Sequence, residues 1–371
     1  MNTGLYKRVR DNVKGMKKYK PGKGIKEVRK EYGLDKVIKM ASNENPLGHS
    51  EQVLECLREA DCNFHHYPDS NCNQLKNSLA DFHNINKNKL FIGNGSDEII
   101  DHIMTVFVEK GDEVILADPS FIKYKLAVQA SGGIGKKIPL TEDYRHDLSR
   151  MAEAVTEKTK VIFICDPNNP TGTTVDRKKL LDFIDEVPSD ILLVVDQAYY
   201  EYVTETDYLQ GLELIDQYSN LILLRTFSKI YGMAGFRVGY GIANSQLVEL
   251  LNRVRSPFNV NKAAQKAAVA ALQDQQHVKN SRACNENGKT YLYNALDELG
   301  LQYIHTQGNF ILIDTEHDAV AVFEKLMRQG VIIRPGNIFG LPTWIRVTIG
   351  RKEDNQEFIK QLKDIISKGE L

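Results

Sequence analysis

Two short runs, Val161–Cys165 (VIFIC) and Ile191–Val195 (ILLVV), are apolar at every position. A strand with one wet face alternates between apolar and polar residues. A strand without that alternation is buried on both faces, as in a parallel sheet covered by helices. The surrounding sequence supplies the covering layers. Helical spacing runs over 73–83, from Asn94–Glu98 to 108, and over 121–131, 149–155 and 176–186. Between these lie short strands at 90–93, 113–117, 134–139, 160–165 and 191–195. The alternation predicts an α/β fold with a mostly parallel central sheet covered by helices. Past Gly241 the pattern changes. Helical periodicity fills 245–299, then strands at 309–313, 331–333 and 344–349 alternate with helices at 318–329 and 354–368. This predicts a smaller α+β C-terminal domain. The expected division is an N-terminal arm (1–40) packing with the small domain, a large domain (41–260) and the small domain (261–371).

Charge and cysteine usage exclude several classes. Lys+Arg number 48 against 49 Asp+Glu, a formal net charge of −1, so no basic excess points to nucleic acid. No apolar run reaches the length of a membrane span. The basic N-terminus lacks the apolar segment of a secretory signal. Five cysteines without a CxxC pair suggest free thiols in a reducing, cytoplasmic setting. Cys56, Cys62, His65, His66 and Cys72 fit no zinc spacing, and no metal is expected.

The chemistry gathers where strands end, which is where open parallel sheets bind ligands. Leu221–Leu224 reads as a buried strand and breaks into Thr226-Phe227-Ser228-Lys229, followed by Gly232, Gly235 and Arg237. On its own, such a lysine would serve as a solvated cation at a strand end. With a hydroxyl and an arginine nearby it is suited to form an imine with an aldehyde cofactor, while Ser228 and Arg237 hold a phosphate. Gly93-Asn94-Gly95-Ser96-Asp97-Glu98 joins a strand to a helix whose N-terminus offers free N–H groups to an anion. Asp166-Pro167-Asn168-Asn169-Pro170-Thr171-Gly172 follows Cys165, and its prolines hold an asparagine amide at the sheet edge. Asp196 ends a buried strand, which is costly without a partner, and a protonated pyridine nitrogen would be one. Tyr199 follows three residues later. Arg346, among apolar residues in a predicted strand, is suited to a carboxylate. Arg334, before Pro335-Gly336, suits a second anion.

Together these motifs resemble the pyridoxal-phosphate aminotransferases of fold type I, classes I and II. The likeness runs nearly end to end and includes Tyr19-Lys20-Pro21-Gly22-Lys23, the Asn43-Glu44-Asn45-Pro46 loop, Tyr67-Pro68-Asp69 and Arg346-Val347-Thr348-Ile349-Gly350. The arm and the asparagine-rich loop resemble the branch acting on histidinol phosphate. The resemblance implies pyridoxal 5'-phosphate as cofactor and a ping-pong exchange between histidinol phosphate and the glutamate/2-oxoglutarate pair, in histidine biosynthesis. Lys229 would form the imine and shuttle the proton. Asp196 would pair with the ring nitrogen, Asn169 and Tyr199 with the ring oxygen, and Phe121 would stack on the ring. Ser96 and Asp97 through backbone amides, with Ser228 and Arg237, would hold the phosphate. Tyr67 would reach it from the second subunit of a homodimer with shared active sites. Tyr19, Asn45, Arg334 and Arg346 would contact substrate. Two positions depart from the common pattern: Asp166 stands where Asn is frequent, and Gln197 where Glu is. The same scaffold also resembles aromatic-amino-acid aminotransferases and, less closely, threonine-phosphate decarboxylases. A non-catalytic cofactor-fold module is the reading furthest from these.

Overall fold

A computed structural model describes residues 4–16, 18, 22–58 and 63–367. In chain order the helices are α1 (Asp11–Lys14), α2 (Ile25–Tyr32), α3 (Glu51–Arg58), α4 (Asn73–His83), α5 (Ser96–Phe107), α6 (Ile122–Ser131), α7 (Leu148–Glu153), α8 (Arg177–Glu186), α9 (Ser245–Asn252), α10 (Lys262–Gln273), α11 (Gln275–Glu298), α12 (Ala319–Arg328) and α13 (Lys352–Ser367). The strands are β1 (Ile38–Lys39), β2 (Leu90–Gly93), β3 (Glu113–Asp118), β4 (Ile134–Pro139), β5 (Thr159–Cys165), β6 (Leu192–Asp196), β7 (Leu221–Thr226), β8 (Gly239–Ala243), β9 (Tyr303–Ile304), β10 (Phe310–Asp314), β11 (Val331–Ile332), β12 (Arg334–Pro335) and β13 (Trp344–Thr348).

The large sheet has seven strands in the order β2-β8-β7-β6-β5-β3-β4. Its buried strands show why they lack alternation. Leu193 and Val195 of β6 enter the apolar cluster on one face, and Leu192 and Val194 enter the cluster on the other. The sheet is parallel except for β8, which runs antiparallel to both β7 and β2. The connection between β7 and β8 holds one short 3-10 turn, Ala234–Phe236, and no α-helix to carry the chain across the sheet, and the loop at Lys229 turns straight back.

The second unit is built on an antiparallel sheet in the order β12-β13-β10-β9. Its core joins Ile311, Ile313, Ile345 and Val347 to Leu292 of α11 and Phe358 of α13. The N-terminal segment belongs with it: β1 pairs in parallel with β11, α2 packs on α12, and Ile38 and Met40 enter its core. Helix α10, just past the expected boundary at residue 260, packs on α3 and α4 within the large unit's core.

Candidate active site

The carboxyl ends of β2, β5, β6 and β7 converge on a cavity of about 340 Å³ lined by residues of both units. Lys229 stands inside it. After β7 the chain turns back through Gly232, whose φ is 67° and whose added Cβ would lie 1.9 Å from the Gly48 carbonyl oxygen. Only glycine fits there. The Lys229 amine donates to the Ser42 carbonyl at 3.3 Å and lies 5.4 Å from the Tyr199 ring centroid. Burial, helped by the Arg346 charge, pushes this amine down to about 8. A larger share of it is therefore neutral and nucleophilic near neutral pH than of an ordinary lysine.

Asp196 closes β6 at the cavity floor, 2% exposed. Its Oδ2 accepts from the Tyr124 hydroxyl at 2.7 Å and its Oδ1 from the Ala198 amide at 3.2 Å. Burial pushes the carboxyl up to about 6 in spite of both donors. A cation placed against it in the cavity would relieve that burial cost.

An anion cradle lies beside the lysine. Gly95 takes φ 77°, and a Cβ on it would meet the Arg237 guanidinium at 2.7 Å. A Cβ on Gly239 would sit 2.6 Å from the Ser96 amide nitrogen. The two glycines thus let three backbone segments close around the start of α5. Arg237 reaches Asp97 at 3.2 Å and the Ser228 hydroxyl at 3.5 Å. Free N–H groups of a twelve-residue helix, a hydroxyl and a guanidinium together suit a phosphate.

The remaining walls come from aromatic rings and from the small unit. Phe121, at the start of α6, lines the cavity and meets Tyr124 edge-on at 5.5 Å. The Tyr199 hydroxyl accepts from Asn43 and Asn169. Arg346 donates to Asn169 Oδ1 at 2.5 Å and to the Ala41 carbonyl at 2.8 Å, with the Phe310 and Phe339 rings each 5.5 Å from its guanidinium. Arg334 on β12 lies directly opposite Arg346 in register. Like charges so placed repel, and both side chains line the cavity, where an anion would compensate them.

Most described residues expected from the sequence come together here, and Asn45 does not. Asn45 is buried away from the cavity, with both ends of its amide committed: Nδ2 to the Ile230 carbonyl and Ser281, and Oδ1 to the Leu47 amide. Tyr67 is 79% exposed and stacks on Phe258 outside the cavity. Tyr19 lies outside the described residues. The sequence reading missed Asn43, Tyr124, Lys39 and Phe339. Tyr124 had a signal, because it follows Phe121 by one helical turn and so shares its face. For Asn43, nothing in the string Asn43-Glu44-Asn45 says which asparagine faces the cavity. Among the described residues no His/Cys/Asp/Glu group is arranged to hold a metal, and no helix is long and apolar enough to cross a membrane.

The donor set fits pyridoxal phosphate. It offers an amine for the aldehyde, a buried carboxylate for the pyridine nitrogen, amide and phenol groups for the ring oxygen, and a glycine-lined cradle for the phosphate. Comparison with known proteins agrees. The family model for aminotransferase class I and II matches residues 35–362. Histidinol-phosphate aminotransferase of Caldicellulosiruptor saccharolyticus is 48% identical over 96% of this chain and 99% of its own. The Moorella thermoacetica protein of the same name is 47% identical over 97% of this chain and 93% of its own. Among solved structures, histidinol-phosphate aminotransferase from Sinorhizobium meliloti in complex with pyridoxal-5'-phosphate aligns with TM-score 0.90 and 26% identity, covering 97% of this chain and 98% of that one. L-threonine-O-3-phosphate decarboxylase from Porphyromonas gingivalis aligns with TM-score 0.79 at 24% identity over 89% of this chain and 100% of its own, a likeness of fold alone.

Proposed function

The chain belongs to the class I and II aminotransferases, and we propose that it moves the amino group between histidinol phosphate and the glutamate/2-oxoglutarate pair, with pyridoxal 5'-phosphate as cofactor. Bound pyridoxal phosphate supplies an aldehyde carbon that accepts the amino group and a ring that draws electrons from the substrate α-carbon. The protein does the rest. Lys229 would hold the cofactor through its amine and, as a neutral base, would move a proton from the substrate α-carbon. Asp196, backed by Tyr124, would keep the proton on the pyridine nitrogen. Tyr199 and Asn169 would hold the ring oxygen, and Phe121 would pack against the ring. The α5 N-terminus, Ser228 and Arg237 would hold the phosphate.

One observation supports the substrate choice: Arg334 facing Arg346 across adjacent strands. Glutamate carries two carboxylates, and the pair matches them. Histidinol phosphate carries no carboxylate, and its phosphate would take the place of one at Arg334. The test is Arg334→Ala. In single-turnover half-reactions without 2-oxoglutarate, the apparent Kd for histidinol phosphate should rise about tenfold or more, the worth of a charge-assisted contact, while that for phenylalanine changes little. Equal loss for both amines would contradict the role of Arg334 as the phosphate's partner.

We further infer a homodimer. Its support is the exposed aromatic pair of Tyr67 and Phe258, stacked at 4.4 Å, from which Tyr67 would serve the neighbouring subunit's phosphate cradle. A cytoplasmic setting is supported by the free thiols of Cys56, Cys72, Cys165 and Cys284.

A further inference from the structure

The hydroxyl of Tyr199 receives two amide donors. Asn43 Nδ2 lies 3.0 Å from it and Asn169 Nδ2 lies 3.2 Å from it. A phenol oxygen has two lone pairs and one proton. Both lone pairs are thus taken, and the proton is left for the cavity that Tyr199 lines.

Each amide is oriented by a neighbour. Arg346 can only donate, and it holds Asn169 Oδ1 at 2.5 Å, which leaves that amide's NH2 for Tyr199. Thr348 Oγ1 accepts from the Asn43 backbone N–H at 2.9 Å and lies 3.3 Å from Asn43 Oδ1. Its own proton goes to Oδ1, and the NH2 of Asn43 is turned to Tyr199. Arg346 and Thr348 are alternate residues of β13 and share a face, so one strand of the small unit orients both amides. Asn43 sits at φ 55°, a left-handed conformation that asparagine tolerates better than most residues. Its carbonyl accepts from Asn309 Nδ2 at 3.1 Å.

We propose that Asn43 and Thr348 are positioning residues that fix the Tyr199 hydroxyl as a hydrogen-bond donor directed into the cavity. The inference rests on the aminotransferase reading for the identity of the acceptor, the cofactor's ring oxygen. The two branches differ in duty. A carboxylate arriving at Arg346 competes with Asn169 Oδ1. Thr348 lies behind the cavity wall, 4% exposed, and its branch holds Tyr199 while the other exchanges partners.

Three variants test this. Asn43→Asp keeps a residue suited to the backbone conformation but replaces the donor with an acceptor, so the hydroxyl turns away from the cavity. Thr348→Val keeps the shape and removes the hydroxyl, and Thr348→Ser keeps the hydroxyl. In cofactor-free protein carrying tyrosine isotope-labelled at Cζ, the Tyr199 resonance is assigned by its loss in Tyr199→Phe. It should shift in Asn43→Asp and Thr348→Val and stay in place in Thr348→Ser. In loaded protein, losing a donor at the ring oxygen leaves more negative charge there to retain the neighbouring proton. The pH midpoint of the bound cofactor's visible absorbance should therefore rise by about half a unit to one unit, the worth of one hydrogen bond. Thr348→Ser should restore it, and the Thr348→Val effect should vanish in a Tyr199→Phe background. If resonance and midpoint stay unmoved in a protein that still transaminates, the proposal is overturned and the functional reading stands. If the protein takes up no aldehyde cofactor, the functional reading falls, and the cofactor-free resonance still decides the direction of the hydroxyl.

Discussion

The Tyr124 hydroxyl donates to the buried Oδ2 of Asp196 at 2.7 Å. It links the first helical turn after Phe121 to the end of β6 and stabilises the charged form of a carboxyl that burial pushes up to about 6. The ring of Tyr124 stacks on Phe163 at 4.5 Å, so phenylalanine fills the same space. Tyr124→Phe should therefore fold normally and bind pyridoxal phosphate about tenfold more weakly, the effect of losing one hydrogen bond to a charged group. Equilibrium dialysis of the cofactor measures this, and unchanged affinity would mean that Asp196 does not depend on Tyr124.

The lowered Lys229 amine gives a pH dependence with a definite sign. Only the neutral amine attacks the aldehyde. The rate at which cofactor-free protein captures pyridoxal phosphate should rise with pH and level off above about 8. Stopped-flow absorbance follows the capture directly. A midpoint near the ordinary lysine value of 10.5 would show that burial and Arg346 do not act on Lys229 as described.

Asp166 makes a stability prediction away from the chemistry. It is fully buried, its Oδ1 accepts from the Val175 amide at 2.9 Å, and its Oδ2 has no hydrogen-bond partner among the described residues. Burial pushes its carboxyl up to about 7 from 3.8. A folded-state value raised above the unfolded one means that stability is lost as pH rises between the two, because the buried group must ionise. Asp166→Asn keeps the acceptor for Val175 and removes the charge. It should be near neutral at pH about 4 and stabilising by on the order of 1–3 kcal/mol above pH about 7. Urea melts at the two pH values test this, and a gain that does not grow with pH would contradict it.

Where the sequence could be read, it was because one physical rule dominated locally. The runs at Val161–Cys165 and Ile191–Val195 are apolar throughout because β5 and β6 are covered on both faces. The motifs at strand ends point to the cavity because the parallel direction brings those ends together. Other features depend on partners far along the chain. The two residues of β1 carry no periodicity of their own and are a strand only because β11 lies beside them. The reversal of β8 goes with a connection that carries no crossing α-helix. Asn45 looked equivalent to Asn43 until the left-handed turn at Asn43 sent one amide to Tyr199 and the other to Ser281. The expected role of Tyr67 belongs to a contact between subunits, which one chain's pattern cannot display.

Conversion of histidinol phosphate at this site is tested most directly by single-turnover spectroscopy of the loaded protein, with histidinol phosphate and phenylalanine added separately while the cofactor's visible band is followed. Rapid loss of the band with histidinol phosphate, and slow or absent loss with phenylalanine, is the expected result. Equal or faster loss with phenylalanine would contradict it.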